Sequence, residues 1–341
     1  MIQLNNKEKN IIKPTKFLII RFSSIGDIVL TTPIIRCLKQ QYHNCTIHYV
    51  TKTQYASIVE NNPFVDKVIH LDKSWLLMMH LLKIEEYDYV IDLHHNLRTL
   101  RIKYQLKAKA FSFNKLNIEK WLMTALKINV LPKKHIVDRY FETLEEFDVV
   151  NDGKGLDYFI PEKDKVKQTD LPTAQLFGFI AIVIGAAHNT KRLPTEKLIE
   201  LCNKINYPIT LLGGKEDNKI GDEIEAAIGP KVYNACGKFN LNESADLVRQ
   251  SKLIITHDTG LMHIAAALKK KIISIWGNTI PDFGMTAYYG NATVENKIFE
   301  VEHLSCRPCT KIGYDACPKK HFKCMQLQNI DAISNSTVEL L

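Results

Sequence analysis

The chain has 341 residues, 45% of them apolar and 24% charged, with a formal net charge of +8. That length is enough for two domains with separate cores, and the composition is that of a globular protein, not a disordered or fibrous one. The longest apolar stretch, Leu176 to Ala187, is too short to span a bilayer, and Met1 to Lys16 is polar without the apolar centre of a signal peptide, so a cytoplasmic location is expected.

Apolar runs alternate with helical patterns through the first half. Phe17 to Arg21 reads as a buried strand, and Ile28 to Gln41 as a helix with Pro33 in its first turns. Cys45 to Val50 is a second strand, followed by a helix over Gln54 to Asn61; Val65 to Leu71 and Tyr89 to Leu93 are further short strands. Leu116 to Leu126 and Val137 to Val149 read as helices. Between Arg98 and Arg139 there are eleven Lys and Arg against Glu119 and Asp138, a balance of +9, so the rest of the chain sums to −1. A basic segment (98–139) in a near-neutral protein suggests an anionic partner such as a phospholipid or a phosphorylated glycolipid, with a solvated helix face as the plain alternative. The interleaved aromatics Tyr104, Phe111, Phe113 and Trp121 read as the apolar sides of amphipathic helices. No nucleic-acid motif accompanies them, and no nucleic-acid partner is expected.

The polar stretch Asn151 to Pro172 reads as a linker, after which the winding restarts. Phe179 to Ile184 is a strongly apolar strand, Thr195 to Ile205 a helix, Ile209 to Leu212 a strand and Asp217 to Ile228 a helix. Val232 to Asn234, a helix over Asn242 to Arg249, the strand at Leu253, the Ala-rich helix over Ile264 to Leu268 and Ile272 to Trp276 complete it, the last closing the sheet. Strands alternating with helices imply parallel β-α-β winding, and two such units joined by a linker bind ligand in the cleft between them.

Four loops after strands carry the chemistry. Phe22-Ser23-Ser24-Ile25-Gly26-Asp27 follows the first strand with one Gly where a dinucleotide fingerprint has three. Asp27 there is either a helix cap or a carboxylate facing the cleft, placed to act as a general base. Gly185 to Pro194 follows the strongest strand. Its Lys191 is suited to a phosphate, while Arg192 has the plain reading of a surface charge. In Gly213-Gly214-Lys215-Glu216-Asp217, Glu216 can accept hydrogen bonds from ribose hydroxyls. His257-Asp258-Thr259-Gly260-Leu261-Met262-His263 places Asp258 and Thr259 at a helix start whose unpaired N–H groups favour a phosphate, with His263 one turn in. A plain N-cap is the bland alternative, and an aspartic protease would need a second Asp-Thr-Gly.

Taken together, Ser23 to Asp27 with Thr32-Pro33, then Lys191-Arg192-Leu193-Pro194, Gly213 to Glu216 and Asp258 to His263 resemble, in order, the motifs of the lipopolysaccharide heptosyltransferases, glycosyltransferase family 9. The resemblance runs from about Lys16 to about Met325. It implies a GT-B fold of two Rossmann-like, doubly wound α/β domains facing a central cleft: an acceptor domain over 16–160, a nucleotide-sugar domain over 161–325, then a tail over 326–341. It further implies inverting transfer of a heptose from an ADP-sugar to an anionic glycolipid, the lipopolysaccharide core, by a protein peripheral to the inner membrane, with the basic segment facing the lipid. By the same resemblance Asp27 is the base; Thr190 and Lys191 hold the diphosphate and Glu216 the ribose. Thr259 and Gly260 present N–H groups to the phosphates, with Asp258 and His263 completing the donor site. Ser24, Gly26 and Arg98 contact the acceptor. Leu193 departs from the Trp often found before that Pro in the family. No D-x-D element is present to hold a diphosphate through a divalent ion, so no metal or other cofactor is expected. A nucleotide-sugar epimerase of the non-hydrolysing type and a nucleotide-sugar-binding protein without turnover are the alternatives.

Cys306, Cys309, Cys317 and Cys324 are spaced Cys-x2-Cys-x7-Cys-x6-Cys, with His321 among them, and leave open a structural zinc site, disulfides or reduced packed thiols.

Overall fold

A computed structural model describes residues 13–71 and 74–341, and the chain is built there as two parallel sheets in succession. Most of the N-terminal stretch read as lacking a leader, 1–12, lies outside the described residues. In the first half β1 (Thr15–Ile20), α1 (Ile25–Val29), α2 (Thr32–Gln41), β2 (Cys45–Thr51), β3 (Lys67–His70), α3 (Trp75–Ile84), β4 (Tyr89–Asp92), α4 (Leu97–Leu106), β5 (Lys109–Ser112), α5 (Asn117–Trp121) and α6 (Ile136–Phe141) follow one another. The sheet runs β3-β2-β1-β4-β5, every pair parallel.

The second half contains β6 (Ile180–Val183), α7 (Thr195–Lys204), β7 (Ile209–Leu212), α8 (Asn218–Ile228), β8 (Val232–Asn234), α9 (Leu241–Gln250), β9 (Leu253–His257), α10 (Gly260–Ala267), β10 (Ile272–Trp276), β11 (Asn296–Glu300), α11 (Lys323–Gln326) and α12 (Ile330–Leu340). Its sheet runs β11-β10-β9-β6-β7-β8, again parallel throughout. Both sheets are therefore doubly wound. The winding reverses between β1 and β4 in one and between β6 and β9 in the other. Crevices open at such reversals, past the carboxyl ends of the strands.

Alternation along the strands explains the layers. Phe17 and Ile19 of β1 enter one apolar cluster, Leu18 and Ile20 another on the opposite face. Ala181 and Val183 of β6 join the first cluster, while Ile180 and Ile182 pack beneath the second sheet. Strands covered on both faces read as continuous apolar runs, which is why these were visible in the sequence.

Several elements differ from the sequence reading. The helix expected over Ile28 to Gln41 is two helices, broken around Leu30 and Thr31, with Pro33 in the first turn of the second. The expected helix over Gln54 to Asn61 is a 3₁₀ turn, Thr53–Ile58. The helix expected over Val137 to Val149 passes from α6 into a 3₁₀ stretch, Glu142–Phe147. β10 does not close the second sheet, since β11 pairs along its outer side. In the tail, α12 places Ile330, Ile333 and Leu340 in the second core.

The segment read as a linker is a packed belt. Leu156, Tyr158, Val166 and Leu171 are buried, Tyr158 donates to Asn242 at 2.7 Å, and the Val166 N–H donates to Asp246 at 3.0 Å. Arg36 of α2, itself buried, holds the start of this belt. It donates two bonds to Asp152 at 2.8 and 2.9 Å and one to the Gly155 carbonyl, and pairs with Asp157. Removing one side of a buried ion pair strands the other, so Arg36→Met is expected to lower unfolding free energy by about 3 kcal/mol. Urea denaturation of the two proteins measures it.

Candidate functional site

The two crevices meet where α1 and α10 touch. A methyl group built on Gly26 would lie 2.5 Å from the His263 ring, and one built on Gly260 would lie 2.7 Å from Ile25. Each glycine thus lets the facing backbone come closer than any other residue would.

On the first half, Asp27 sits in the first turn of α1. It accepts the Ser24 N–H at 3.1 Å and the Ser24 hydroxyl at 2.7 Å, and pairs with Arg21 at 2.6 Å. Asp27 thus closes back on the start of α1, as the cap reading expects, with Arg21 as a second partner. Burial pushes its carboxyl up, but Arg21 and the Ser24 bonds outweigh this and hold it below the usual range. Asp27 is ionised at neutral pH. Arg21, which the sequence reading left as the end of a strand, is buried and also donates to the Ser23 and Leu93 carbonyls, tying the loops after β1 and β4 together. Only its place at the end of an otherwise apolar strand could have signalled it. Arg98 lies in the first turn of α4 with its side chain exposed.

The basic segment separates into groups with different work. Lys103 is not a free surface charge: it pairs at 2.8 Å with the fully buried Asp92. Lys109 and Lys134 pair with Glu146 and Glu142. Lys115 and Lys120 turn inward. Burial, then Arg139, brings the Lys120 ammonium down to about 8, and Asp27, Lys311 and Arg21 are all within its electrostatic reach. Arg139 is buried on α6, and its Nε has no acceptor among the described residues. Positive charge thus gathers beside Asp27. Composition could show the charge but not which lysines face in.

On the second half, Lys191 and Asp258 come from the loops after β6 and β9, on either side of the winding reversal. Their side chains pair at 2.5 Å, the ammonium also donates to the Asp258 carbonyl at 3.2 Å, and Thr279 donates to the same carboxylate at 2.9 Å. Thr259 precedes α10 without a capping side-chain bond; its hydroxyl lies 3.2 Å from that of Thr256. Thr190 is buried, and its hydroxyl is committed to the backbone of Tyr314, donating at 3.0 Å and accepting at 2.8 Å. Glu216 is exposed in the turn after β7, folded back toward Gly214. Arg192 is no surface charge: it pairs at 2.7 Å with buried Asp217 and caps the Ala186 carbonyl at 2.9 Å.

His263 links the two sides. It is buried against Gly26, its Nδ1 has no partner among the described residues, and Asp258, Asp27 and Lys191 all act on it. The structure therefore groups Asp27, Ser24, Gly26, Gly260, His263, Asp258 and Lys191, while Glu216 stands exposed in the turn after β7 and Arg98 exposed in the first turn of α4.

The four C-terminal cysteines are free thiols. Cys309 donates to the Cys306 carbonyl at 3.0 Å, and among the described residues no three His, Cys, Asp or Glu side chains are grouped to hold a metal ion. Their loop braces the site: Arg307 donates to the Thr279 carbonyl at 2.9 Å, and Tyr314 holds Thr190.

Residues 75–318 match the profile of glycosyltransferase family 9 (heptosyltransferase). The chain is 28% identical over 293 residues to lipooligosaccharide heptosyltransferase 2 of Haemophilus influenzae, covering 78% of this chain and 84% of that one. It is 28% identical over 312 residues to lipopolysaccharide heptosyltransferase 1 of Campylobacter coli, covering 84% and 89%. Among solved structures, E. coli heptosyltransferase WaaC with ADP superposes with a TM-score of 0.68 at 20% identity, over 96% of this chain and 100% of that one. The shared fold is GT-B.

Burial lowers four histidines together, His94 and His263 to about 4 and His135 and His257 to about 3. Unfolded histidines take up protons near 6.5, so below that value the unfolded chain binds more protons than the native one. Unfolding free energy is expected to fall as pH drops from about 6.5 toward about 4, and urea titrations across that range should follow it.

Proposed function

The chain belongs to glycosyltransferase family 9, a family of transferases, and on that premise we propose that it moves a heptose from an ADP-sugar to the core of a lipopolysaccharide or lipooligosaccharide. Membership favours transfer over the epimerase reading and over a binding protein without turnover. The observation that carries the site assignment is the meeting of ionised Asp27 with the Lys191–Asp258 pair around His263, at the contact of the two halves. The relatives are lipopolysaccharide and lipooligosaccharide heptosyltransferases by name, and the E. coli enzyme of the same fold was solved with ADP.

In the proposed reaction an acceptor hydroxyl lies beside Asp27. The carboxylate takes its proton as the oxygen attacks the anomeric carbon, the bond to the diphosphate breaks, and ADP leaves with the configuration inverted. Lys191 and the open N-terminus of α10 supply positive charge to the leaving diphosphate without a metal. The diphosphate competes with Asp258 for Lys191, so Asp258 and Thr279 hold the ammonium in place while the site is empty. Thr259 and Gly260 offer backbone N–H groups to the same phosphates, and Glu216 takes the ribose. Thr190 acts through Tyr314 as a brace. On the acceptor side, Lys120, Lys115 and Arg98 meet phosphate or carboxylate groups of the glycolipid, with Ser24 and Gly26 shaping the approach to Asp27. The work takes place at the cytoplasmic face of the inner membrane.

Asp27→Asn is expected to lower transfer from ADP-heptose by about 10²-fold or more while ADP binding persists. Mass spectrometry of product and calorimetry with ADP check the two halves; undiminished transfer removes Asp27 from its role.

Arg21 has a separate signature. With Asp27 held low, kcat/KM should stay flat on the acid side down to below the ordinary carboxylate range near 4. Arg21→Met removes the cation and leaves the burial, so the acid limb should move up in pH. A pH–rate profile of the folded variant reads this directly.

A further inference from the structure

The outward faces of α3 and α4 differ from those of a solvated helix. α3 turns Met78, Met79 and Leu82 to the core, yet Leu76 is 81% exposed and Leu77, Leu81 and Ile84 also face out. α4 turns Thr99 and Ile102 inward, yet Leu97 is 85% and Tyr104 82% exposed, with Leu100 between them. The expectation that Tyr104 packs on the inner side of an amphipathic helix is thus reversed. The two helices adjoin, with the Arg101 guanidinium 4.8 Å from the centre of the Trp75 ring.

Single exposed leucines are ordinary, but here seven large apolar side chains are exposed on two adjoining helices. Within the two helices the charges are of one sign, and the carboxylates that follow α3 are already paired, Glu85 with Lys16 and Lys67 and Glu86 with Lys13. Arg98, Arg101 and Lys107 are exposed on or just beyond α4, and neither helix contains an Asp or a Glu. A second copy of the chain would set these cations against their own kind, with no carboxylate on either helix and with Glu85 and Glu86 just beyond α3 already paired to lysines. An anionic lipid surface satisfies both features: hydrocarbon for the leucines and phosphate for the cations.

We propose that the α3–α4 face docks on an anionic lipid surface, with Leu76, Leu77, Leu81 and Ile84 entering the boundary between headgroups and acyl chains and Arg101 and Lys107 meeting lipid phosphates. Among the described residues no helix is long and apolar enough to cross a membrane, so the contact lies in the plane of the surface. The docking does not depend on which sugar is transferred.

Flotation of the full chain with vesicles tests it, using phosphatidylcholine alone or mixed with phosphatidylglycerol and no donor or acceptor present. Binding is expected on the mixed vesicles and weak on phosphatidylcholine. Arg101→Ser with Lys107→Ser should lower binding at low salt about thirtyfold. Leu77→Ser with Leu81→Ser should remove the part that persists at high salt, roughly tenfold or more for each leucine. Both are surface changes, and circular dichroism and turnover of a water-soluble acceptor should be unaltered. Vesicle binding unmoved by either pair overturns the proposal. So does a concentration-dependent dimer that the leucine pair disperses, since the occupant is then a second copy. A chain that binds vesicles but transfers no heptose leaves the docking intact and sinks the transfer reading instead.

Discussion

The approach of α1 to α10 is the constraint from which the rest of the site follows. Each helix begins just past the carboxyl end of a parallel strand, and each carries a glycine at the point of contact, Gly26 facing His263 and Gly260 facing Ile25. A Cβ at either place would force apart the two halves or the ring of His263, because the atoms it would meet are a packed imidazole and the stem of a β-branched side chain. The closeness sets Asp27 and Asp258 near the same imidazole. A carboxylate from one sheet and an open helix start from the other, suited to a phosphate, then share one space. Neither loop alone would make a site for two substrates.

Ionic groups at this junction are paired while the site is empty, and the pairing has a direction. Arg21 and Ser24 bind the deprotonated form of Asp27, so the carboxylate is present at neutral pH but is a weaker base than a carboxyl left to burial alone. In the proposed reaction orientation must therefore supply much of the rate. Lys191 is held by Asp258 and Thr279 from its own half, so the leaving group of the proposed reaction would exchange with a single carboxylate instead of meeting a bare buried ammonium.

The doubly wound fold was legible because its strands are covered on both faces and read as unbroken apolar runs; Phe17 to Ile20 and Ile180 to Val183 are cases. β5 and β11 were missed for the opposite reason. Both lie at sheet edges and are partly exposed, so Lys109 and Lys297 interrupt the pattern. α3 went unread because its outward side is as apolar as its inward side, leaving no periodicity to follow. At the site, loop residues after strands were found by position and type. Partners were not: Arg192 with Asp217, Lys103 with Asp92 and Arg21 with Asp27 join residues from different loops or elements. A sequence records that a charge exists, whereas its solvation depends on a neighbour that only the fold supplies.

The basic segment makes that distinction functional. Its excess charge is one number, but the fold spends it in three places. Lys103, Lys109 and Lys134 are neutralised by carboxylates and hold local structure. Lys115 and Lys120 are drawn inward, where the nearest charges on Lys120 are mostly of its own sign and burial already weakens its proton. On the proposed reading an arriving anion relieves both costs, and a phosphorylated or carboxylated group supplies it. Arg101 and Lys107 stay outside beside exposed leucines. The lipid-linked anionic acceptor proposed above would present the same chemistry to both sets, its headgroup sugars to the inward lysines and its neighbours in the bilayer to the outward cations. If both proposals hold, the two sets act in series: the outer one concentrates the chain at the surface where the acceptor resides, and the inner one selects the acceptor from it.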